Sequence, residues 1–487
     1  MGEDVMKSVY SPAEFREFSI RLEKQLAQLR ELLAQDSFSR WEPSIGAELE
    51  VYLVDNEYRP ATINEQLLQM ANNPQLTPEL NQYNLEFNLS PVSAVGSPFL
   101  AVEKELRDFL GSLQGHAQSI DANVIPIGIL PTLHEEHLHQ SYMTDRPRYH
   151  ALTNGLCGIR GKEFHIDISG ADHLSLHGEG VTVEGANTSF QVHLRVPANE
   201  FARSFNSAQL TTPLVLALAA NSPLIAGMRL WQESRIALFK QSIDFREQTN
   251  ADWRHPARVN FGHGWVRNSA WELFAENVAL YQPIIPALSD EADLGDPPLL
   301  PELCLHHGTV WPWNRAVYGP QSGGHLRIEF RALPAGPTVI DMLANAALSI
   351  GWAVGLGDSI DHYVARLPFN FAEYNFYRAA QHGMDAKLLW PRKNVGGLEE
   401  RPIVELIEEF LPRARVGLDH LGVDRADSDR LMNVIEERFE TRHTGANWQL
   451  QTFERYRKES DVEQACSRML ADYVDNVMAG SPVANWC

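Results

Sequence analysis

The hydrophobic period of this chain changes along its length, and each change marks a different kind of structure. Ser11-Pro12-Ala13-Glu14 reads as a capping box with proline in the first helical position. Phe15, Phe18, Leu22, Leu26, Leu29 and Leu33 follow at the spacing of a helix with one buried stripe. From about residue 44 to 201 the period drops to two, in short runs separated by Gly, Pro and Asn, which predicts strands. Helical spacing returns over 203–245, and 213–228 is the most apolar run, broken by Asn221, Ser222 and Pro223 into a core helix and a turn. A Trp- and Pro-rich loop stretch, 250–322, leads to a strand over 325–333 and an apolar helix over 338–356. Beyond about residue 400 the pattern is helical throughout, with apolar i, i+3, i+4 spacing at 403–410, 428–440, 448–457 and 462–477. The expected organisation is an N-terminal helical segment (1–40), a mixed body (41–360) and a helical C-terminal region (361–487) packed on that body.

The strands carry the chemistry, because successive side chains point to opposite faces. In 46–53, Ala47, Leu49, Val51 and Leu53 form an apolar face, and Glu48, Glu50 and Tyr52 share the other. Segment 84–89 sets Glu86 between Asn84 and Asn88. Segment 190–196 presents Gln191, His193 and Arg195, and 325–331 presents His325, Arg327, Glu329 and Arg331. A fifth run, 163–168, alternates in the same way. One such strand alone reads as the solvated face of a half-exposed sheet. Here the outward residues are nearly all hard-metal ligands or arginines. Carboxylates two apart on a strand sit about 7 Å from each other, and in a cleft such pairs are unfavourable without a cation between them. Mg²⁺ takes carboxylate oxygens, water and phosphate; zinc suits one histidine among several glutamates less well. Arg327 and Arg331 flank Glu329, and Arg315 and Arg235 are candidates to reach in from neighbouring loops. Guanidinium forks fit phosphate and carboxylate oxygens, and divalent ions with arginines around one cleft are what phosphoryl transfer from ATP requires. Each arginine taken alone fits a structural ion pair equally well.

Composition narrows the partners. Among 487 residues, 44% are hydrophobic and 21% charged, with a formal charge of −22. So acidic a surface repels nucleic acid and anionic lipid and argues against both as partners. The four cysteines show no metal or redox spacing and no secretory pattern follows Met1, which points to a reduced, cytoplasmic compartment. Neither GxxxxGK[ST] nor a GxGxxG after a strand occurs, so a P-loop or Rossmann site is not expected. His134-Glu135-Glu136-His137 is not the HExxH zinc motif and reads as a loop over the cleft.

Taken in order, Gly46-Ala47-Glu48-Leu49-Glu50, Thr188-Ser189-Phe190-Gln191-Val192-His193, Ala219-Ala220-Asn221-Ser222-Pro223, Ser234-Arg235 and Arg327-Ile328-Glu329-Phe330-Arg331 resemble the motifs of the glutamate-cysteine ligase type 2 family. These are carboxylate-amine ligases with a glutamine synthetase-like fold, and the resemblance spans roughly residues 40–360. It implies an α+β fold, a curved antiparallel β-sheet with flanking helices, here extended by the N-terminal helix and the helical tail. It implies Glu48, Glu50, Glu86, His193 and Glu329 as ligands of two or three Mg²⁺ ions. Arg235, Arg327 and Arg331 would act on phosphate or substrate carboxylate, and Gln191, Arg315 and Arg327 would bind the nucleotide. The implied chemistry is transfer of the ATP γ-phosphoryl group to a carboxylate, giving an acyl phosphate that an amine then attacks. In glutamate-cysteine ligases, which open glutathione biosynthesis, the acid is the γ-carboxylate of glutamate and the amine is cysteine. A ligase for another amine, a phosphotransferase without an acceptor, and a non-catalytic ATP or amino-acid sensor are the alternatives. A metal-dependent hydrolase would leave the arginines unexplained. The sequence leaves open whether copies of the chain associate.

Overall fold

The computed structural model describes residues 5–35, 38, 42–160, 164–178, 181–244, 246, 256–290, 295–392 and 396–487. Its centre is one long strand, β1 (Ser44–Asp55), around which a curved sheet is assembled. The other members are β2 (Leu76–Pro78), β3 (Asn84–Asn88), β4 (Val92–Ser93), β5 (Ala122–Ile125), β6 (Phe190–Val196), β7 (Asn314–Gly319) and β8 (His325–Phe330). Their order is β7-β8-β6-β1-β3-β2, every neighbour antiparallel, with β4 pairing the start of β1 and β5 its end. β8 stops at Phe330, short of the expected 333, and the chain meets the sheet once more where Pro334 bridges Ser189. The fifth alternating run does not join this sheet: Phe164–Ser169 pairs with His173–Gly178 in a separate ribbon.

Alternation along β1 sorts its residues as the pattern predicts. Ala47, Leu49, Val51 and Leu53 are buried in one core cluster with Phe87, Val192, Leu194 and Ile328. The same cluster takes in residues of the helices α2 (Pro98–Gln118), α3 (Phe201–Ala219) and α4 (Val339–Gly355). The opposite face of the sheet is left for the polar side chains. α1 (Pro12–Leu33) starts at its expected cap: Ser11 Oγ accepts from the Glu14 N–H at 3.3 Å, and Glu14 accepts from the Ser11 N–H at 2.7 Å. Phe15, expected in its buried stripe, is exposed, whereas Gln25 is buried and donates to Glu302 at 2.5 Å. That bond fastens α1 to the short helix Pro301–His307 that precedes β7.

The C-terminal helices α5 (Ile403–His420), α6 (Arg425–Thr441), α7 (Gly445–Arg457) and α8 (Val462–Ala479) lie close to the periodic runs that predicted them. The region is not helical throughout, because Lys387–Pro391 and Leu398–Pro402 form a β-hairpin with Leu388 and Trp390 buried. α6 is tied to the body by Arg438, whose fully buried guanidinium reaches Asp341 at 2.7 Å and Asn345 at 2.6 Å on α4. α5 lies against α4 backbone to backbone. A Cβ on Gly417 would overlap the Gly351 carbonyl and come within 2.6 Å of the Gly355 nitrogen. Alanine normally stabilises a helix interior relative to glycine, but Gly417→Ala is expected to destabilise the protein by about 1–3 kcal/mol through this overlap. A denaturation midpoint that did not fall would mean that the two helices are not in this contact. Among the described residues no single helix is long and apolar enough to cross a membrane.

Candidate functional site

Register brings the polar side chains together. Glu329 of β8 lies opposite His193 of β6, Gln191 opposite Glu48 of β1, and Glu50 of β1 opposite Glu86 of β3. Two groups of metal-ligating atoms result, Glu48/His193/Glu329 and Glu50/Glu79/Glu86, each with its ligand atoms within 4.8 Å of one another. Glu48 and Glu50 are two residues apart on one strand, so the groups stand side by side on one face.

Arginines border the first group. Glu329 accepts from Arg315 at both carboxylate oxygens, with one contact at 3.0 Å, and from Arg331 at 2.7 Å. Arg331 also donates to Gln191 Oε1 at 2.5 Å, and Gln191 in turn donates to Glu50 at 2.8 Å. The Ser189 N–H donates to the other Glu50 oxygen at 2.7 Å. Arg327 Nε donates to His193 Nδ1 at 3.0 Å, leaving His193 Nε2 3.3 Å from Glu48 Oε1. A neutral imidazole cannot accept at Nδ1 and coordinate a cation at Nε2 together, because one ring nitrogen must carry the proton. An ion held by His193 Nε2 therefore requires Nδ1 to gain the proton and Arg327 to let go.

The second group is electrostatically incomplete. Burial, then Glu86 beside it, push the Glu50 carboxyl up to about 8 against the pull of Arg331. Burial, Glu86 and Glu50 push Glu79 well above the usual range, and burial with Glu48 pushes Glu86 up. Glu329 is the contrast: burial alone would raise it, but Arg315 and Arg331 outweigh burial and hold it well below. Buried all-oxygen ligation with too little positive charge suits a hard divalent cation. A carboxyl raised in the folded state keeps protons that the unfolded chain has released. The ion-free protein therefore loses stability as pH climbs from the ordinary carboxylate range through about 8. A divalent ion removes that disadvantage and displaces the protons on entry. Mg²⁺ or Mn²⁺ is expected to raise the thermal midpoint more at about pH 8.5 than at about pH 6. An equal or smaller rise at the higher pH would contradict this assignment of ligands.

Glu48, Glu50, Glu86, His193, Glu329, Gln191, Arg315, Arg327 and Arg331 thus share one face. Arg315 comes from β7, opposite Glu329, and not from a loop. Arg235 is engaged elsewhere: its buried guanidinium donates to Glu233 at 2.7 Å and to the Ala332 carbonyl at 2.6 Å, next to Arg331 in sequence. The sequence reading missed Glu79, which follows Pro78 outside any alternating run. Only the hairpin register, with Thr77 opposite Glu86 and Pro78 opposite Leu85, brings the chain that carries it back beside Glu86.

Two clusters of carboxylates, one with His193, that could each hold a cation beside arginine forks on a curved antiparallel sheet fit the layout of a carboxylate-amine ligase. The sequence pattern of glutamate-cysteine ligase family 2 matches residues 44–468, and the chain belongs to that family. The match runs past residue 360 into α8, so the helical tail is part of the family's own chain and not an addition to it. The fold is shared with the glutamate–cysteine ligase of Francisella tularensis, solved in complex with AMP, at a TM-score of 0.58 and 11% identity over 90% of each chain. It is also shared with a bifunctional glutathione synthetase from Pasteurella multocida, at a TM-score of 0.54 and 12% identity over 94% of this chain and 55% of that one. No curated protein matches the chain in sequence.

Proposed function

We propose that this chain is an ATP- and Mg²⁺-dependent ligase that joins the γ-carboxylate of glutamate to the amine of cysteine through an acyl phosphate. One observation carries the reading: Glu48/His193/Glu329 and Glu50/Glu79/Glu86 stand side by side with Arg315, Arg327 and Arg331 against them. Divalent ions held by these residues would supply the positive charge that ATP and its departing phosphoryl group require. Arg331 bridges Gln191 and Glu329 beside both groups, placed to steady an oxygen of the transferred phosphoryl group. Arg327, once freed from His193, is the arm that reaches a nucleotide phosphate. Gln191 and Arg315 hold Glu50 and Glu329 in place at the nucleotide side. Arg235 receives a supporting part, because it grips the backbone directly after Arg331.

The family supports the ligase, and the AMP in the Francisella tularensis enzyme supports ATP as the nucleotide. In this reading the enzyme acts on small molecules in the cytoplasm, where thiols stay reduced. Purified protein given ATP, Mg²⁺, glutamate and a panel of amines should release phosphate only when acid and amine are both present. Cysteine should be the fastest acceptor, with γ-glutamylcysteine found by mass spectrometry. Turnover with another amine and not cysteine would replace the acceptor. No amine-dependent release across the panel would remove the ligase.

A further inference from the structure

Glu184 belongs to neither ligand group, yet its charge acts on both Glu50 and Glu79. It opens the short turn Glu184–Ala186, which is pinned from both sides. Tyr52 of β1 donates to the Ala186 carbonyl at 2.6 Å, and Asn81 Nδ2 donates to the Thr182 carbonyl at 2.9 Å. Gly185 presses so closely on Asn81 that a Cβ there would lie 2.6 Å from Asn81 Nδ2. Asn81 is two residues from Glu79, Tyr52 is two from Glu50, and Ser189, five residues past Glu184, donates its N–H to Glu50. The turn is therefore fixed to the elements that carry the second ligand group, which holds the half-buried Glu184 beside them.

Among the described residues no N–H or O–H donates to the Glu184 carboxylate, although its backbone carbonyl holds the Asn187 side chain at 2.8 Å. Arg331 is the cation whose field reaches it, and that guanidinium is already committed to Gln191 and Glu329. Burial, only partly offset by Arg331, pushes the Glu184 carboxyl up to about 7. A half-buried carboxylate that no donor meets is costly to charge until a partner brings both charge and N–H groups. A divalent ion among Glu50, Glu79 and Glu86 would compensate those three and leave Glu184 unmatched. A primary ammonium, a compact monocation with three donors, meets that need.

We propose that Glu184 receives the ammonium group of an amino-acid substrate, and so positions that substrate beside the ion held by Glu50, Glu79 and Glu86. The assignment rests on the ligase reading for the identity of the substrates, namely the α-ammonium of the acid or the amine of the acceptor. The turn is held by backbone and neighbouring side chains and not by the Glu184 carboxylate, so Glu184→Gln should fold. In Glu184→Gln the KM for one amino-acid substrate is expected to rise about tenfold or more, with kcat changed much less. Affinity for Mn²⁺ and for a non-hydrolysable ATP analogue should stay within about twofold. Glutarate in place of glutamate separates the two sources. If Glu184 holds the acid's ammonium, wild type and variant become equal on glutarate; if it holds the acceptor's, the higher KM for cysteine persists. Calorimetric titration of glutamate and cysteine onto protein loaded with Mg²⁺ and the ATP analogue reads the same difference without turnover. Equal amino-acid binding by wild type and variant would overturn the assignment while leaving the ligase intact. A parallel loss of Mn²⁺ binding would overturn it by making Glu184 a metal ligand. Absence of wild-type turnover, with amino-acid binding still weakened in the variant, would sink the ligase and keep the ammonium site.

Discussion

Glu48→Gln is expected to lower turnover on the order of 10³-fold while the unfolding midpoint changes far less. The amide keeps the volume and one oxygen of the carboxylate but removes the charge that completes the Glu48/His193/Glu329 group. The apolar side of β1, which includes Ala47, Leu49 and Val51, is untouched, so the core does not change. The Glu48 charge pushes Glu86 up, but it also lies 3.3 Å from the His193 ring and draws on Arg327 and Arg331, so the effects of its removal on the ion-free protein oppose each other. A large loss of activity with little change in stability is the mark of a residue kept for binding a cation. A residue kept for packing would lose both together. Near-normal turnover of Glu48→Gln at limiting Mg²⁺ would place the metal face elsewhere.

Arg331→Lys should reduce kcat by about 10²–10³-fold, although the charge is retained. The arginine holds Gln191 at 2.5 Å and Glu329 at 2.7 Å from one planar head, and an ammonium offers no such fixed fork. Because Gln191 in turn holds Glu50, the change would loosen the junction of the two ligand groups. The measurement is a steady-state comparison at saturating ATP and Mg²⁺. A lysine variant within a few-fold of wild type would mean that Arg331 serves only as a counter-ion to Glu329.

What the sequence made legible follows from the physics of strands. Alternation alone separated Leu49 and Val51 from Glu48 and Glu50, because burial of one face is decided residue by residue. It could not tell which alternating runs pair. Residues 164–168 alternate as well as 190–196 do, yet they form a separate ribbon, since pairing depends on the chain that returns, here His173–Gly178. Glu79 was illegible for the same reason, being placed by the register of β2 on β3 and not by its own neighbours. For Arg235 an exposed fork and a buried one look alike in sequence. Its partner Glu233, only two residues away and also fully buried, is visible as a partner only in three dimensions. The hairpin within the tail was hidden because Leu388, Leu389 and Trp390 form too short an apolar run for its period to be read.

In the proposed reaction a phosphoryl group passes onto the γ-carboxylate of glutamate and is then displaced by the amine. Glutamate labelled with ¹⁸O in both γ-carboxylate oxygens, supplied with ATP, Mg²⁺ and cysteine, reports this path in the released phosphate by mass spectrometry. Formation and aminolysis of an acyl phosphate carry one carboxylate oxygen into the phosphate, so one ¹⁸O per phosphate released is expected. Unlabelled phosphate, released at the same rate as amide is formed, would rule out the acyl phosphate.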